Sequence, residues 1–221
     1  FLKFTAATGG AMALAPAGIS TAAEAAAPAM VIARAKGAPQ AEADIRAMAV
    51  NLTTQAVEAL GGMQRFCRKG DVVWVKPNMA WDRAPELAAN TNPDVVATLV
   101  RLCLEAGAKQ VKVGDFTCNE ASKSYPSSGI EAAAKAAGAE VVYIDKGRFR
   151  EMDLGGQILR MWPVYPEIVE ADLVINAAVA KHHGISTMTA CMKNYMGIAN
   201  NRNKWHQNLP AALCDVTKFM Q

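Results

Sequence analysis

The sequence predicts an α/β fold, a mostly parallel sheet with crossover helices arranged as a Rossmann-like three-layer sandwich. Three observations carry this. Short Val-rich apolar runs alternate with segments of helical periodicity. The order helix, Gly, Ala, strand occurs twice, in "VRLCLEAGAKQVKVGD" and in "IEAAAKAAGAEVVYID". Strands that alternate with helices need crossover connections, which make the sheet parallel.

The elements follow in order. From Ala41, the residues Ile45, Met48, Ala49, Leu52, Ala56 and Leu60 recur at helical spacing, and Gly61-Gly62 closes the run. "DVVWVKPN", bounded by Asp71 and Pro77, reads as a buried strand. The next helix is well punctuated. Asn92 caps it, Pro93 fits its first turn and Asp94 suits the positive end of its dipole. Val95, Val96, Leu99, Val100, Cys103 and Leu104 form its apolar face, and Gly107 ends it. "AKQVKVGDF" is the second strand, and a helix and a strand ending at Asp145 follow. "GGQILRMWPVYP" reads as an excursion or an edge hairpin, because Pro163 and Pro166 do not suit a central strand. "EIVEADLVINAAVAKHHG" holds a short helix and a strand from about Asp172 to Asn176. "TACMKNYMG" reads as a helix or helical turn, with Met188, Met192 and Met196 at i, i+4 and i+8 as a core stripe. "NLPAALCDVTKFMQ" is helical after Pro210, and the chain stops there without a closing strand, as a C-terminally truncated domain would.

The chain has 221 residues, 52% hydrophobic and 19% charged, an ordinary globular balance. Its formal net charge of +3 comes without a basic stripe or interleaved aromatics, which argues against a nucleic-acid partner. Residues 1–30 read as an export signal or an Ala-rich tail, and residues 41–221 as a single α/β domain. The segment is too interrupted to remain as a transmembrane span. Ala23-Glu24-Ala25 and Ala25-Ala26-Ala27 suit signal cleavage, and Phe1-Leu2-Lys3 resembles the residues after the arginine pair of a twin-arginine signal. The expectation is a truncated signal and a periplasmic or otherwise exported protein. The five cysteines, Cys67, Cys103, Cys118, Cys191 and Cys214, contain no C-x-x-C, so neither a zinc ribbon nor an iron–sulfur motif is encoded. Cys103 reads as a core residue. P-loop, dinucleotide-binding, nucleophile-elbow and H-E-x-x-H motifs are also absent from the sequence.

In open parallel sheets, ligands bind beyond the carboxyl ends of the strands. Those ends here are Lys76-Pro77-Asn78, Gly114-Asp115, Asp145, and Asn176 leading into Lys181-His182-His183-Gly184. Lys193 and Asn194 follow in the "TACMKNYMG" segment, whose amino end would favour an anion if it faced the same crevice. Asn78 also fits an Asx-turn, Asp115 a turn cap, and Asp145 a plain strand-end turn. His182 and His183 are adjacent and point in different directions, so one His belongs to the site.

The segments "VWVKPN", "TNPDVV", "EAGAKQVKVGD" and "ADLVINAAVAKHHGISTMTACMKNYMG" resemble the domain-of-unknown-function family 362 from about Asp71 to Lys218. Its most specific series is D-x-V-I-N, K-x-H-G and T-x-x-x-K-N-x-x-G. By that resemblance Lys76, Asn78, Asp115, Asn176, Lys181, His183, Gly184, Lys193, Asn194 and Gly197 occupy motif positions, with His182 at a variable one. The resemblance implies an α/β fold and, in some members, an appended iron–sulfur module. This chain lacks the cysteine run for such a module, and it ends where members continue into another strand.

Two functions fit these residues. In the first, an enzyme acts on an anionic small molecule held by Lys76, Lys181 and Lys193 with Asn78, Asn176, Gly184 and Asn194, His183 being general acid or base and Asp115 orienting it or binding a divalent ion. In the second, a non-catalytic exported binding or redox-accessory protein holds a metabolite or a partner. A metal site from Asp115, Asp145, His183 and Cys118 is the weaker third idea. The sequence names no cofactor and no oligomeric state.

Overall fold

The computed structural model describes residues 27–39 and 41–221. Helix α1 (Glu42–Ala59) leads into β1 (Val72–Pro77), and α2 (Pro93–Glu105) crosses over to β2 (Gln110–Val113). Helices α3 (Ala121–Ser127) and α4 (Ile130–Ala136) connect β2 to β3 (Glu140–Val141). Then come β4 (Arg150–Asp153), β5 (Met161–Val164), α5 (Pro166–Val169) and β6 (Leu173–Ala177). The chain finishes with β7 (Lys181–His183), β8 (Thr187–Thr189), α6 (Cys191–Asn194) and α7 (Leu209–Phe219).

The main sheet has the order β3-β2-β1-β6. All three pairings are parallel, with Lys76 opposite Asn176 in the β1–β6 ladder. The α/β fold with a parallel sheet is therefore present. The chain winds outward from β1 through β2 to β3, then returns to place β6 on the other side of β1. That reversal is a topological switch point, where the crossovers on either side diverge and leave a crevice beyond the strand ends.

Strand periodicity sorts β1 between two cores. Val73 and Val75 point to one face and pack with α2 residues Val96, Val100 and Cys103 and with Tyr125 and Ile130. Trp74 points to the other and packs with Tyr165, Ile168, Trp205, Leu209 and Val216. The two faces give the expected layers, with α1, α2 and α4 on one side and α5, α7 and the β4–β5 hairpin on the other. Each fully buried aliphatic side chain contributes about 1.5–3 kcal/mol to holding the layers together.

Local chemistry explains the boundaries. Asn92 Oδ1 accepts from the N–H groups of Asp94 (2.8 Å) and Val95 (3.3 Å), the anticipated cap of α2. Gly107, at φ 100°, supplies the left-handed turn that ends it. Asp172 Oδ2 accepts from Val72 N–H at 2.8 Å, which sets the register of β6 against β1. The Pro-containing segment is an antiparallel hairpin outside the main sheet, as its prolines require.

Three readings need correction, and one helix was not anticipated. The third strand stops at Val141 instead of reaching Asp145: Val142 N–H still donates to the Val113 carbonyl at 2.9 Å, but the chain after it leaves the edge, and Val142 and Ile144 join the core around Trp74. Helix α3 had no periodic signal and carries Pro126 within it. The segment from Lys181 to Thr189 is a β-hairpin, and the helix after it is the four-residue α6. The methionine stripe does not exist as a core feature. Met196 is buried, but Met188 and Met192 are 61% and 44% exposed. Residues 1–26, most of the segment read as an export signal, lie outside the described residues. Among the described residues no helix is long and apolar enough to cross a membrane.

Candidate functional site

The carboxyl ends of β1 and β2 are joined by a buried ion pair. Lys76 is the last alternating residue of β1 on the Trp74 face, and Asp115 lies just beyond β2. Their side chains are 0% and 3% exposed, with Nζ and Oδ1 2.7 Å apart. Lys76 Nζ also donates to the Pro77 carbonyl at 2.9 Å, and Asp115 Oδ2 accepts from Met79 N–H at 2.9 Å. Burial pushes the Lys76 ammonium below the usual lysine range, and the Asp115 carboxylate offsets part of that effect. The Tyr125 hydroxyl supports the pair from beneath. It accepts from Asp115 N–H at 3.0 Å and lies 2.9 Å from the carbonyls of Asp115 and Val142.

The next layer uses the K-N-x-x-G series. Asn194 Nδ2 donates to the Lys76 carbonyl (3.2 Å) and to Asn176 Oδ1 (2.8 Å), tying α6 to β1 and β6 together. Asn176 Nδ2 donates to the Cys191 carbonyl at 2.8 Å. The backbone then passes directly over the ion pair at Gly197. A Cβ there would stand 1.8 Å from Asp115 Oδ1 and 2.8 Å from Lys76 Nζ, so only glycine fits. Gly197's carbonyl accepts from Phe116 N–H at 2.9 Å, which fastens this passage to the end of β2.

Above this floor lies a small open pocket of about 70 Å³, bordered by Asn78, Asp115, Lys181, His183, Lys193, Asn194 and Arg202. The structure thus brings together the strand ends of β1 and β2, the β7–β8 hairpin and α6. Lys181 Nζ donates to the Ala89 carbonyl, lies 3.5 Å from Asn78 Oδ1 and stands 6.0 Å from the Trp81 ring centroid. Arg202 donates to the carbonyls of Phe116, Thr117 and Met196 and to Cys118 Sγ, and stacks 4.8 Å from the Phe116 ring. Lys193 has the poorest set of partners. Among the described residues its half-buried ammonium reaches only Met196 Sδ, at 3.5 Å, a weak acceptor for a group with three donors.

The pocket is electropositive. Its single carboxylate, Asp115, is already paired with Lys76. Among the described residues, Lys181, Lys193 and Arg202 have no carboxylate within ion-pair distance. Burial and the neighbouring Lys193 charge lower the Lys181 pKa, and burial and Arg202 lower that of Lys193, while Cys118 opposes both shifts. Burial first, and then Lys193, His206, His182 and Lys181, push the His183 imidazole down. Its Nδ1 accepts from the N–H groups of Ile185 and Ser186, both at 3.2 Å. An accepting Nδ1 carries no proton, so the neutral ring keeps its proton on Nε2.

The predicted residues take unequal places. Lys76 lies under the pocket, not on its wall. Asn176 supports Asn194 from the side. Gly184 sits exposed in the β7–β8 turn. Asp115 makes no hydrogen bond to His183; its oxygens serve Lys76 and Met79. Asp145 Oδ1 accepts from Gly147 N–H at 2.8 Å and is a turn residue. The proposed metal ligands are not assembled, and among the described residues no group of three His, Cys, Asp or Glu side chains is positioned for a metal ion. The four-residue α6 is too short to supply the helix-end field expected of it. Sequence reasoning missed Arg202 and Trp81. Arg202 sits in the aperiodic "NRNKWHQN", where excess positive charge was its one signal.

Comparison with known proteins gives a family and one relative. The chain is 32% identical over 152 residues to a thylakoid-associated protein of Synechocystis sp., a stretch covering 68% of this chain and 46% of that relative. The chain therefore spans about half the length of the curated relative it matches. No solved structure matches it. The sequence profile of the domain of unknown function DUF362 matches residues 73–221, which run from β1 through every wall of the pocket to the last helix, and the chain belongs to that family.

Proposed function

We propose that this protein binds an anionic small molecule, a carboxylate or a phosphate, beyond the carboxyl ends of β1 and β2. One observation carries the reading. Lys193 holds a half-buried ammonium against a thioether, beside Lys181 and Arg202, with no free carboxylate to balance the three charges. Cations gathered in a partly desolvated pocket repel one another, and a bound anion relieves that repulsion. His183 adds an Nε2–H donor, suited to hydrogen-bonding an anion or to passing it a proton. Export of the protein is part of the proposal and rests on the Ala-rich amino-terminal sequence.

Calorimetry at low ionic strength with acetate, succinate and inorganic phosphate tests the reading. Saturable binding is expected, weakened at least tenfold in Lys193→Gln. Absence of saturable binding, or equal affinity in Lys193→Gln, contradicts it. His183→Ala separates the enzymatic version from the binding version once a ligand is known, since loss of turnover with retained binding marks a catalytic histidine.

A further inference from the structure

The cationic pocket has an apolar neighbour. An open groove of about 740 Å³ runs along the outside of the β7–β8 hairpin and α6 toward α7. Ile185, Met188, Met192, Leu209 and Leu213 line it, and Lys193 belongs to its wall and to the wall of the cationic pocket. Ile185, Met188 and Met192 are 67%, 61% and 44% exposed, a concentration of apolar surface on one short stretch of chain. The two spaces differ in what they can hold. About 70 Å³ takes a headgroup and little else, whereas about 740 Å³ is the size of a pocket for a metabolite body. Methionines suit such a surface because their unbranched side chains adapt to varied apolar shapes.

We propose that the ligand is amphiphilic, with its anionic head between Lys181, Lys193 and Arg202 and its apolar body along the groove beyond Lys193. This rests on the anion-binding reading and extends it to a substrate class. The occupant is a free small molecule. Lys193 is the junction, its stem flanking the apolar body and its ammonium meeting the head.

The test is a chain-length series on the full chain: inorganic phosphate, then butyl, hexyl and octyl phosphate below their micelle concentrations, with acetate, hexanoate and octanoate in parallel. Affinity is expected to rise about three- to fourfold per methylene, the fold-change equivalent to ~0.8 kcal/mol for each buried CH₂. Lys193→Gln should weaken the whole series. Replacing the exposed Met188 and Met192 together by Ser should flatten its slope without unfolding the protein, which circular dichroism checks. A flat series in the wild type, with phosphate still bound through Lys193, overturns the amphiphile and leaves the anion reading standing. No binding at any length overturns both. Octanol binding as tightly as octyl phosphate overturns the assignment of the head. Co-sedimentation with phosphatidylglycerol vesicles, without binding of the monomeric amphiphiles, makes the groove a membrane contact and overturns the proposal.

Discussion

Replacing Gly197 by Ala places one methyl group where the buried ion pair stands. The new Cβ would lie 1.8 Å from Asp115 Oδ1, more than 1 Å inside van der Waals contact, and 2.8 Å from Lys76 Nζ. Three anchors, two of them backbone hydrogen bonds, resist relief by movement. Phe116 N–H donates to the Gly197 carbonyl, Tyr165 N–H donates to that of Ile198, and Asn194 holds the preceding turn to β1 and β6. The carboxylate must therefore swing away from the ammonium 2.7 Å from it. Both charges are buried, and separating such a pair costs about 3–5 kcal/mol. At about 2–4 °C per kcal/mol for a chain of this size, the midpoint of thermal unfolding should fall by roughly 6–20 °C. Urea unfolding followed by tryptophan fluorescence and far-UV circular dichroism measures the free energy directly. Asp115→Ala removes the clashing group, so Gly197→Ala should cost several kcal/mol less in that background. A Gly197→Ala loss below about 1 kcal/mol, or full additivity with Asp115→Ala, refutes the reasoning.

Other consequences follow from the same contacts. Tyr125→Phe leaves the buried Asp115 N–H without its acceptor and should cost about 1–3 kcal/mol in urea unfolding. Asn194→Ala removes the link from α6 to both strands, so it should lower stability by a similar amount and weaken anion binding in calorimetry. Asp215 accepts from the N–H groups of Gln157, Ile158 and Leu159; burial works to raise its pKa, but these three donors outweigh it and hold the carboxyl below the usual range. Its stabilisation is complete above the unfolded value of about 4 and is lost as pH falls through the lower folded value, so the stability gap between wild type and Asp215→Asn should close in acid. Because Lys181 and Lys193 lie below the ordinary lysine range, anion affinity should begin to fall at a lower alkaline pH than a solvent lysine would give, and binding there should take up protons, read from calorimetry in buffers of different ionisation enthalpy.

The layered fold was legible because its signals are local. Val73 to Val75 announce a buried strand, Asn92-Pro93 starts a helix, and Gly107 stops one. Strand ends then pointed to one edge of the sheet, and Lys181, His183, Lys193 and Asn194 do meet there. Legibility failed where tertiary contact decides the outcome. The interval of four between Met188 and Met192 is helical spacing by coincidence, since Met188 lies in β8 and pairs with His182 across a hairpin. Lys76 shows no sign in sequence that its partner is Asp115 from another strand. Arg202 opens a 3-10 helix, Arg202–Asn208, and is fastened at the site by the carbonyls of Phe116, Thr117 and Met196, which no periodicity encodes. The K-N-x-x-G series was visible as a pattern. Its physical content, an Asn binding two strands and a Gly riding over an ion pair, lies in tertiary contacts between segments distant in sequence.

The most direct test of the electropositive pocket is a crystal of this chain soaked in selenate and measured at the selenium absorption edge. The account predicts an anomalous peak within hydrogen-bond distance of Lys193 Nζ, with Lys181 and Arg202 as the flanking cations, and its disappearance in Lys193→Gln crystals. Selenate found only on the outer surface, with the pocket filled by water or closed by a side chain, would contradict the account.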